Sequence, residues 1–519
     1  MELKNLNQIE TATQANRPEL FRVGMALLFI VGIMLFALMR PVEGVHGVLL
    51  VIAAMIGGYM AINIGANDVA NNVGPAVGSR ALTLTGAILI AAIFEAAGAL
   101  IAGGEVVSTI KKGIIDPSMI TDTDTFIWLM MAALLSGAIW LNIATAMGAP
   151  VSTTHSIVGG VLGAGLAAGG MGIANWDKMG AIASSWVISP VLGGMIAAGF
   201  LYLIKRNITY KDDLIAASKR VVPVLVALMV WAFATYLMLK GIKKIWEVDF
   251  VTALMIGAAV ATFAYFIIRK LVARSAEKMP NEKNSVNRLF TAPLIFAAAL
   301  LSFAHGANDV ANAVGPLAAI NEAIVAGDVA TKAPIPLWVM LVGAIGISIG
   351  LALYGPKLIR TVGSEITELD QMRAFCIAMA AAITVIIASQ LGLPVSSTHI
   401  AVGGIFGVGF LREYLKTSYG GMIEEVKHHH EDDEALNNFL NEFKKATLER
   451  KKDMLAQLKT NSAKSGLSKK ERKQLKKIYA QQLVKRSHLL KIAAAWVITV
   501  PASALMAALI YFMIRGILL

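Results

Sequence analysis

Two short segments of nearly identical sequence carry the polar residues best suited to chemistry. Residues 65–75 read GANDVANNVGP, and residues 306–316 read GANDVANAVGP. The residues with a side-chain oxygen at matching positions are Asn67, Asp68 and Asn71 in the first copy and Asn308, Asp309 and Asn312 in the second. Carboxylate and carboxamide oxygens suit a small hard cation such as sodium and not a soft metal. The repeated pattern therefore predicts a duplicated site for a small hard cation such as sodium.

A second pair of segments follows the first at nearly the same spacing. Residues 150–155 read PVSTTH, and residues 394–399 read PVSSTH. Proline ends the helical pairing before it and Ser or Thr is a preferred N-cap, so a half-helix that starts here aims N–H groups, hydroxyls and its positive dipole end at one point. The hydroxyl residues are Ser152, Thr153, Thr154, Ser396, Ser397 and Thr398. An ordinary capped helix explains one such segment, but two of them favour an anion site.

Glu95 is the only acidic side chain inside a predicted apolar span. A carboxylate near the middle of a bilayer costs about 2.5–3.5 kcal/mol, which makes such a residue a functional candidate. Glu95 can join the cation site or carry a proton in coupling. The alternative is a neutral carboxyl group that hydrogen-bonds between helices, and the sequence leaves both open.

Three histidines lie beside these segments, and we interpret each as a residue that orients its neighbours by hydrogen bonding. His155 and His399 end the hydroxyl segments, and His305 precedes the second Asp segment. The first repeat has Ile64 where the second has His305, which argues against a proton carrier in both halves.

The composition predicts an all-α polytopic membrane protein. Of the 519 residues, 56% are hydrophobic and only 15% are charged, and many apolar runs have the length that crosses a bilayer. Each Asp segment ends one of these runs, which predicts broken or re-entrant helices that line a protein cavity.

The net charge of +12 does not indicate nucleic-acid binding, because the basic residues gather in loops on one side. A single cysteine, Cys376, excludes an intrachain disulfide.

The order of the segments predicts two repeats with additions. Residues 1–46 hold a polar, mobile tail and an extra N-terminal transmembrane helix at 23–38. The predicted divisions after it are a first repeat at 47–204, an intervening helix pair at 205–288, a second repeat at 289–410, a charged insertion at 411–488 and a last span at 489–519. Such internal duplication is typical of secondary transporters.

The distribution of basic residues predicts the orientation of these parts. If every apolar run crosses once, the loops on one side hold at least 36 Lys and Arg residues and those on the other hold fewer than ten. We expect a protein of the plasma or inner membrane. The positive-inside rule then places its loops at 205–220, 269–288 and 411–488 on the cytoplasmic side. The two repeats enter the membrane from opposite sides and are therefore predicted to be inverted.

Charge balance limits what the two sites can do together. The predicted spans contain no Lys or Arg to neutralise an anion beside Asp68 and Asp309. Compensation must come from bound cations, protons or helix dipoles worth about half a charge each. We therefore expect anion movement to be coupled to a cation gradient.

These segments resemble the inorganic phosphate transporter (PiT) family. The matching motifs are GANDVANNVGPAVGS at 65–79, GANDVANAVGP at 306–316, the two hydroxyl segments, IFEAAG around Glu95, KKG at 111–113 and RTVG at 360–363. The similarity covers nearly all of 47–410 and the last span. It is greatest to the sodium-coupled branch, in which both Asp motifs read G-x-N-D-V-x-N.

The resemblance implies twelve helices in two inverted repeats, a homodimer in the bilayer, and phosphate bound between the repeats. It implies that the Asp and Asn residues hold sodium, and that the hydroxyl residues hold phosphate and complete the cation shells. The extra helix at 23–38 and the late insertion at 411–488 depart from the family pattern. The expected function is sodium-coupled import of inorganic phosphate by alternating access, without a resident cofactor.

Three alternatives remain at this point. Protons can replace sodium as the driver, and sulfate can replace phosphate, because a tetrahedral oxyanion site looks the same in sequence. An intramembrane hydrolase would use Ser152, His155 and Asp68, but it has no use for an inverted second copy. A channel is the third alternative, and paired elaborate sites favour a carrier over it.

Overall fold

A computed structural model gives the structure of the chain. It describes residues 2–42, 44–120, 122–149, 151–241, 246–327, 335–364, 369–416 and 486–518, together with residues 442 and 454. Pro150 and most of the predicted insertion at 411–488 lie outside the described residues.

The first half of the chain consists of helices α1 to α8. Their bounds are Glu2–Leu38 (α1), Gly44–Asn67 (α2), Val69–Gly78 (α3), Leu84–Ala102 (α4), Gly104–Lys112 (α5), Thr123–Ala146 (α6), Thr153–Gly169 (α7) and Trp176–Ile204 (α8). The polar N-terminal stretch, for which we expected a mobile tail, is the continuation of α1. The apolar end of this helix, Glu19–Leu38, has the length and composition of a membrane span, as predicted for the extra helix.

The second half repeats the order of the first after an intervening helix pair. Helices α9 and α10 cover Leu214–Tyr236 and Phe250–Ala276, and the short α11 covers Lys283–Leu289. The repeated set is Thr291–Ala326 (α12), Leu337–Ser364 (α13), Gln371–Gln390 (α14), Ser397–Lys416 (α15) and Arg486–Leu518 (α16). Helices α7 and α15 contain the two Gly-rich segments that follow the hydroxyl clusters.

The described residues confirm the predicted all-helical membrane fold. Eleven helical segments among them are long and apolar enough to cross a bilayer. Helices α7 and α15 are not among the eleven, since α7 has only 17 residues and α15 carries charged residues in its last turns. Together these account for the twelve expected core helices and the additional α1.

The chain divides into two compact units. One comprises Met1–Gly407 and Ser487–Leu519, and the other Val408–Arg486. Everything described below lies in the first unit.

One expectation about the Asp segments is wrong. We expected both to stand at broken helix ends, but Asp309 lies inside the continuous helix α12. Asp68 separates α2 from α3 with φ −84° and ψ −39°, which is ordinary right-handed helical backbone. The backbone therefore stays helical through both segments, and the polar side chains project from the sides of the helices.

Helix α4 of the first repeat crosses α12 of the second at backbone contact. A Cβ atom on Gly98 would lie 1.9 Å from the carbonyl oxygen of Phe303, and one on Gly306 would lie 2.2 Å from that of Glu95. Real atoms do not approach so closely, so glycine is required at both positions. Small residues at the crossing of membrane helices allow such an approach.

Helix α2 crosses α13 in the same way. A Cβ atom on Gly65 would lie 1.9 Å from the carbonyl oxygen of Ile347, and one on Gly350 would lie 1.9 Å from that of Ile62. The two crossings are equivalent under exchange of the repeats. They bring both Asp segments into the interior of the first unit.

Candidate functional site

The hydroxyl segments begin helices α7 and α15 deep inside the protein. Ser152 is the N-cap of α7, and its hydroxyl accepts a hydrogen bond from the N–H of His155 at 3.1 Å. Ser396 accepts from the N–H of His399 at 3.3 Å in the same manner. The predicted half-helix starts are therefore present in both halves. The first N–H groups of an α-helix have no carbonyl partner within it, so these helix starts carry backbone donors inside the protein.

One asparagine of each Asp segment anchors the loop that leads into the half-helix. The Asn67 amide donates to the Thr145 hydroxyl at 2.9 Å and to the Ala149 carbonyl at 3.2 Å. The Asn67 carbonyl oxygen accepts from the N–H of Val151 at 3.1 Å. Asn67 thus fixes the distance between α2 and the start of α7.

Asn308 occupies the equivalent place in the second repeat. Its amide donates to the Ser389 hydroxyl at 3.0 Å and to the Leu393 carbonyl at 3.4 Å. The two repeats therefore use the same device to place the start of a half-helix beside an aspartate.

Both aspartates accept hydrogen bonds from the half-helix starts. The Thr153 hydroxyl donates to Asp68 at 2.5 Å and the Thr398 hydroxyl donates to Asp68 at 3.1 Å. The Ser397 hydroxyl donates to Asp309 at 3.2 Å. The predicted cation residues and the predicted anion residues therefore form one network and not two separate sites.

Two other asparagines reach from one repeat into the other. The Asn71 amide donates to Thr398 at 2.8 Å. The Asn312 amide donates to the hydroxyls of Thr153 and Thr154 at 3.0 and 3.2 Å. These contacts are equivalent under exchange of the repeats, so each half contributes to the surroundings of the other.

Several buried oxygen atoms of this network accept no hydrogen bond in the described part of the chain. They are the Oδ1 atoms of Asn71, Asn308, Asp309 and Asn312. Buried polar atoms without a partner are rare in proteins and need an explanation, of which a bound ion is one. The oxygens are hard donors of the kind that alkali cations prefer.

A histidine joins the carboxylates into a line. One ligand atom each of Asp68, His305 and Asp309 lie within 4.8 Å of one another. The two ring nitrogens of His305 contact Glu95 at 2.6 Å and Asp309 at 2.8 Å. The Asn72 amide donates to the other oxygen of Glu95 at 2.8 Å.

The cluster is buried and acidic. The side chains of Asp68, Glu95 and Asp309 are at most 1% exposed. Among the described residues, no Lys or Arg forms an ion pair with any of the three. Only His305 can supply a protein-borne positive charge at contact distance, and the remaining charge must be neutralised by protons or bound cations.

The line of ionisable groups exists in only one of the two helix crossings. Glu95 and His305 face each other where α4 crosses α12. The equivalent residues where α2 crosses α13 are Ile347 and Ile64, as the matching glycine contacts establish. The two halves are thus alike in backbone and different in charge.

The two remaining histidines contact each other behind the half-helix starts. The ring centroids of His155 and His399 are 4.5 Å apart, and Trp186 lies 3.9 Å from His155. Both histidines are buried at the junction of the repeats. These ring contacts do not test the hydrogen-bonding role expected from the sequence, which stays a prediction.

The structure brings all the predicted site residues into one buried region, with differences in how they are used. The hydroxyls of Ser152 and Ser396 accept from their own helices, whereas those of Thr153, Ser397 and Thr398 face the carboxylates. Sequence reasoning missed Asn72, Thr145 and Ser389. A signal existed for Thr145 and Ser389, because each lies five residues before the proline of its hydroxyl segment.

Comparison with known proteins assigns a family to this geometry. A family model described as the phosphate transporter family matches residues 64–507, which include both Asp segments and both hydroxyl segments. The chain belongs to the phosphate transporter family. The resemblance found in the sequence is thereby confirmed. Because this is a family of transporters, the hydrolase alternative is set aside, and the chain is an integral multi-pass membrane protein.

Individual relatives agree with the family. The chain is 53% identical over 523 residues to a protein of Helicobacter pylori strain J99, with 98% of each chain covered. It is 40% identical over 364 residues to a protein of Pyrococcus furiosus, with 70% of this chain and 88% of the other covered. Both relatives carry the name "putative phosphate permease".

A solved structure has the same fold. It is that of a sodium-dependent phosphate transporter, with a TM-score of 0.74 and 32% sequence identity. The similarity covers 91% of this chain and 100% of the other.

Proposed function

We propose that this member of the phosphate transporter family imports inorganic phosphate by sodium symport with alternating access. The observation that carries the proposal is the network in which each repeat places hydroxyl and amide groups on the aspartate region of the other. A site assembled from two equivalent halves can open to either side of the membrane when the two halves exchange conformations.

Sodium is the favoured cation because the available donors are hard oxygens. Asp68 and Asp309 supply the charge, and carboxamide oxygens of Asn71, Asn308 and Asn312 supply neutral ligands. Asn67 contributes by holding its loop, since its oxygen already accepts from Val151. The solved structure with the same fold is that of a sodium-dependent transporter, which supports the same assignment.

Phosphate would bind at the facing N-termini of α7 and α15. The N–H groups and dipoles of these helix starts favour an anion. The hydroxyls of Thr153, Thr154, Ser397 and Thr398 now donate to Asp68, to the Val395 carbonyl and to Asp309, and they would turn to a tetrahedral oxyanion when it binds. The neighbouring carboxylates would repel an anion unless sodium neutralised them first. Binding of the two substrates is therefore coupled by their charges, and sodium is expected to bind before phosphate.

Glu95 acts in this proposal through His305. The imidazole contacts both Glu95 and Asp309, so the charge on Glu95 sets the charge and orientation of the group that faces the cation site. Glu95 is then a positioning residue for coupling and not a sodium ligand.

Proton coupling is a second candidate, and the same line of groups favours it. Glu95, His305 and Asp309 are all titratable and are in direct contact. A proton taken up here would neutralise the carboxylates as a sodium ion does.

The deciding experiment is uptake of radioactive phosphate into proteoliposomes under an inward sodium gradient or an inward proton gradient alone. We expect sodium to drive uptake, and excess unlabelled sulfate to leave it unchanged. Asp68→Asn and Asp309→Asn should each abolish uptake. Asp249→Asn is the matched control, because Asp249 is an exposed N-cap of α10 and asparagine serves that role equally.

Each contrary result removes a different part of the proposal. Uptake driven by protons alone would overturn sodium as the driver. Displacement of phosphate by sulfate would overturn the substrate. Full activity of both aspartate variants would overturn the site.

A further inference from the structure

A cavity away from the central network opens between α9, α10 and α12. Its volume is about 740 Å³, and nearly all of its lining is apolar, with Val226, Phe233, Leu271 and Phe296 as examples. Such a lining offers a phosphate or sodium ion no partners. The cavity therefore suits an apolar ligand and not the transported ions.

The cavity faces the lipid. Phe296 is 63% exposed and Leu271 is 54% exposed, and both lie on helices with the length and composition of membrane spans. A hydrocarbon chain is the molecule that meets this face in a bilayer. Along α10 the lining extends from Val260 to Ser275, which at 1.5 Å per residue is about 22 Å. This length holds an acyl chain that reaches past the middle of a hydrocarbon core about 30 Å thick.

The polar lining is confined to one end. Arg288 and Ser275 lie there, next to Met279 and Ala292. No carboxylate in the described part of the chain forms an ion pair with Arg288. The basic segment at 269–288 is one of those that the sequence places in the cytoplasm, where membrane-facing basic residues meet anionic head groups.

We propose that the cavity binds one anionic glycerophospholipid from the cytoplasmic leaflet. The Arg288 guanidinium holds the head-group phosphate, the Ser275 hydroxyl donates a hydrogen bond to it, and an acyl chain fills the apolar cavity. Arginine suits this role because its planar fork donates two parallel hydrogen bonds to a phosphate group. The proposal is independent of which ion drives transport.

The bound chain would lie directly behind one of the helix crossings. Phe233 of the cavity wall packs edge-to-face on Phe303 of α12, with ring centroids 5.2 Å apart. Phe94 lines the cavity and precedes Glu95. A lipid in the cavity therefore supports the α4–α12 crossing from its outer side.

Native mass spectrometry of the purified full chain tests the proposal directly. The protein is titrated with phosphatidylglycerol or with phosphatidylcholine that carries the same acyl chains. We expect one phosphatidylglycerol to remain bound per chain in preference to phosphatidylcholine. Arg288→Gln should reduce that preference about fivefold, the contribution of one basic residue at an anionic surface. Ala264→Phe, which fills the cavity, should reduce the binding of both lipids.

The matched control is Arg274→Gln, which removes an exposed basic residue of the last turn of α10 that does not line the cavity. Equal retention of both lipids by the unaltered protein, or equal losses in the Arg274 and Arg288 variants, would overturn the head-group assignment. A dimer that dissociates in Ala264→Phe with no loss of lipid would assign the cavity to a second copy of the chain and overturn the proposal. Unchanged thermal unfolding of each variant establishes that the fold is intact.

Discussion

At the scale of the residue, the central network depends on carboxamide side chains that are fixed by hydrogen bonds to neighbouring loops. Asn67 and Asn308 do not merely face the centre, because their amide groups are tied to a hydroxyl and a carbonyl of the loop that starts each half-helix. Such supporting contacts fix the direction of the groups that bind ions.

Removal of one supporting hydroxyl should therefore weaken sodium binding without changing any of the proposed ligands. Thr145→Val keeps the shape of the side chain but takes away the acceptor of the Asn67 amide. We expect a loss of stability of about 1–3 kcal/mol, the cost of a buried donor left without its partner, and a higher sodium concentration for half-maximal uptake. Thermal unfolding and sodium-dependent uptake measure the two effects.

Thr384→Val is the control for this variant. Thr384 is more deeply buried than the half-buried Thr145, but its hydroxyl donates to the Ala380 carbonyl of its own helix. Equal shifts of the sodium dependence in both variants would contradict the supporting role of Thr145.

The sequence identified the residues of the network, but not how they are connected. The types and spacing of Asn67, Asp68 and their repeats carry the chemistry, so they stand out without a structure. Asn72 could not be assigned in this way, because its role comes from a contact between two different helices. A single polar residue on a membrane helix does not indicate which neighbour it faces.

At the scale of the element, right-handed helical backbone at both Asp segments replaces the open breaks that the sequence suggested. Polar side chains in a membrane helix do not require the backbone to open if partners approach from other helices. The half-helix starts of α7 and α15 supply such partners for Asp68 and Asp309. Pro316 is accommodated inside α12 in the same surroundings.

The helix crossings lead to a prediction about glycine. Gly350→Ala would place a methyl group 1.9 Å from the Ile62 carbonyl oxygen, so α13 would have to move away from α2. We expect loss of transport and a lower unfolding temperature. Gly199→Ala is the control, because nothing lies within 4 Å of the added atom. A Gly350→Ala protein with normal uptake would show that the crossing is not rigid.

A buried ion pair joins α5 of the first repeat to the end of α12. Lys111 pairs with Glu322, and Lys112 lies 3.6 Å from the same carboxylate. Glu322→Leu should lower stability by about 3–5 kcal/mol, because it leaves a buried lysine without its partner. The double variant Lys111→Met, Glu322→Leu should recover most of the loss in a thermal unfolding experiment. Failure of the double variant to recover would mean that packing and not charge explains the effect.

At the scale of the whole molecule, the orientation predicted from basic residues can be tested with cysteine labelling. Cys376, the single cysteine, is fully buried and gives little background. Lys178→Cys and Lys278→Cys replace two exposed lysines that the prediction places on opposite sides. A maleimide that does not cross membranes should label Lys178→Cys on intact cells, and Lys278→Cys only after permeabilisation. Labelling of both on intact cells would refute the predicted topology.

The overall architecture was largely available from the sequence because duplication repeats the same signals. Two Asp segments and two hydroxyl segments in one order indicate two similar halves, and apolar runs of suitable length supply the spans. The inserted stretch at 411–488 offers no such repetition, so neither its structure nor a role follows from comparing the halves. The homodimer implied by the family also stays a prediction.

The confinement of Glu95 and His305 to one crossing has a consequence for the working cycle. If the halves exchange conformations as proposed, a molecule with identical halves would spend equal time open to each side when no gradients are present. Here the α4–α12 crossing carries a carboxyl group and an imidazole, and the equivalent α2–α13 crossing carries two isoleucines. The state open to one side and the state open to the other therefore differ in energy. The transporter therefore has a preferred resting side, and the phosphate concentration that half-saturates it should differ between its two faces.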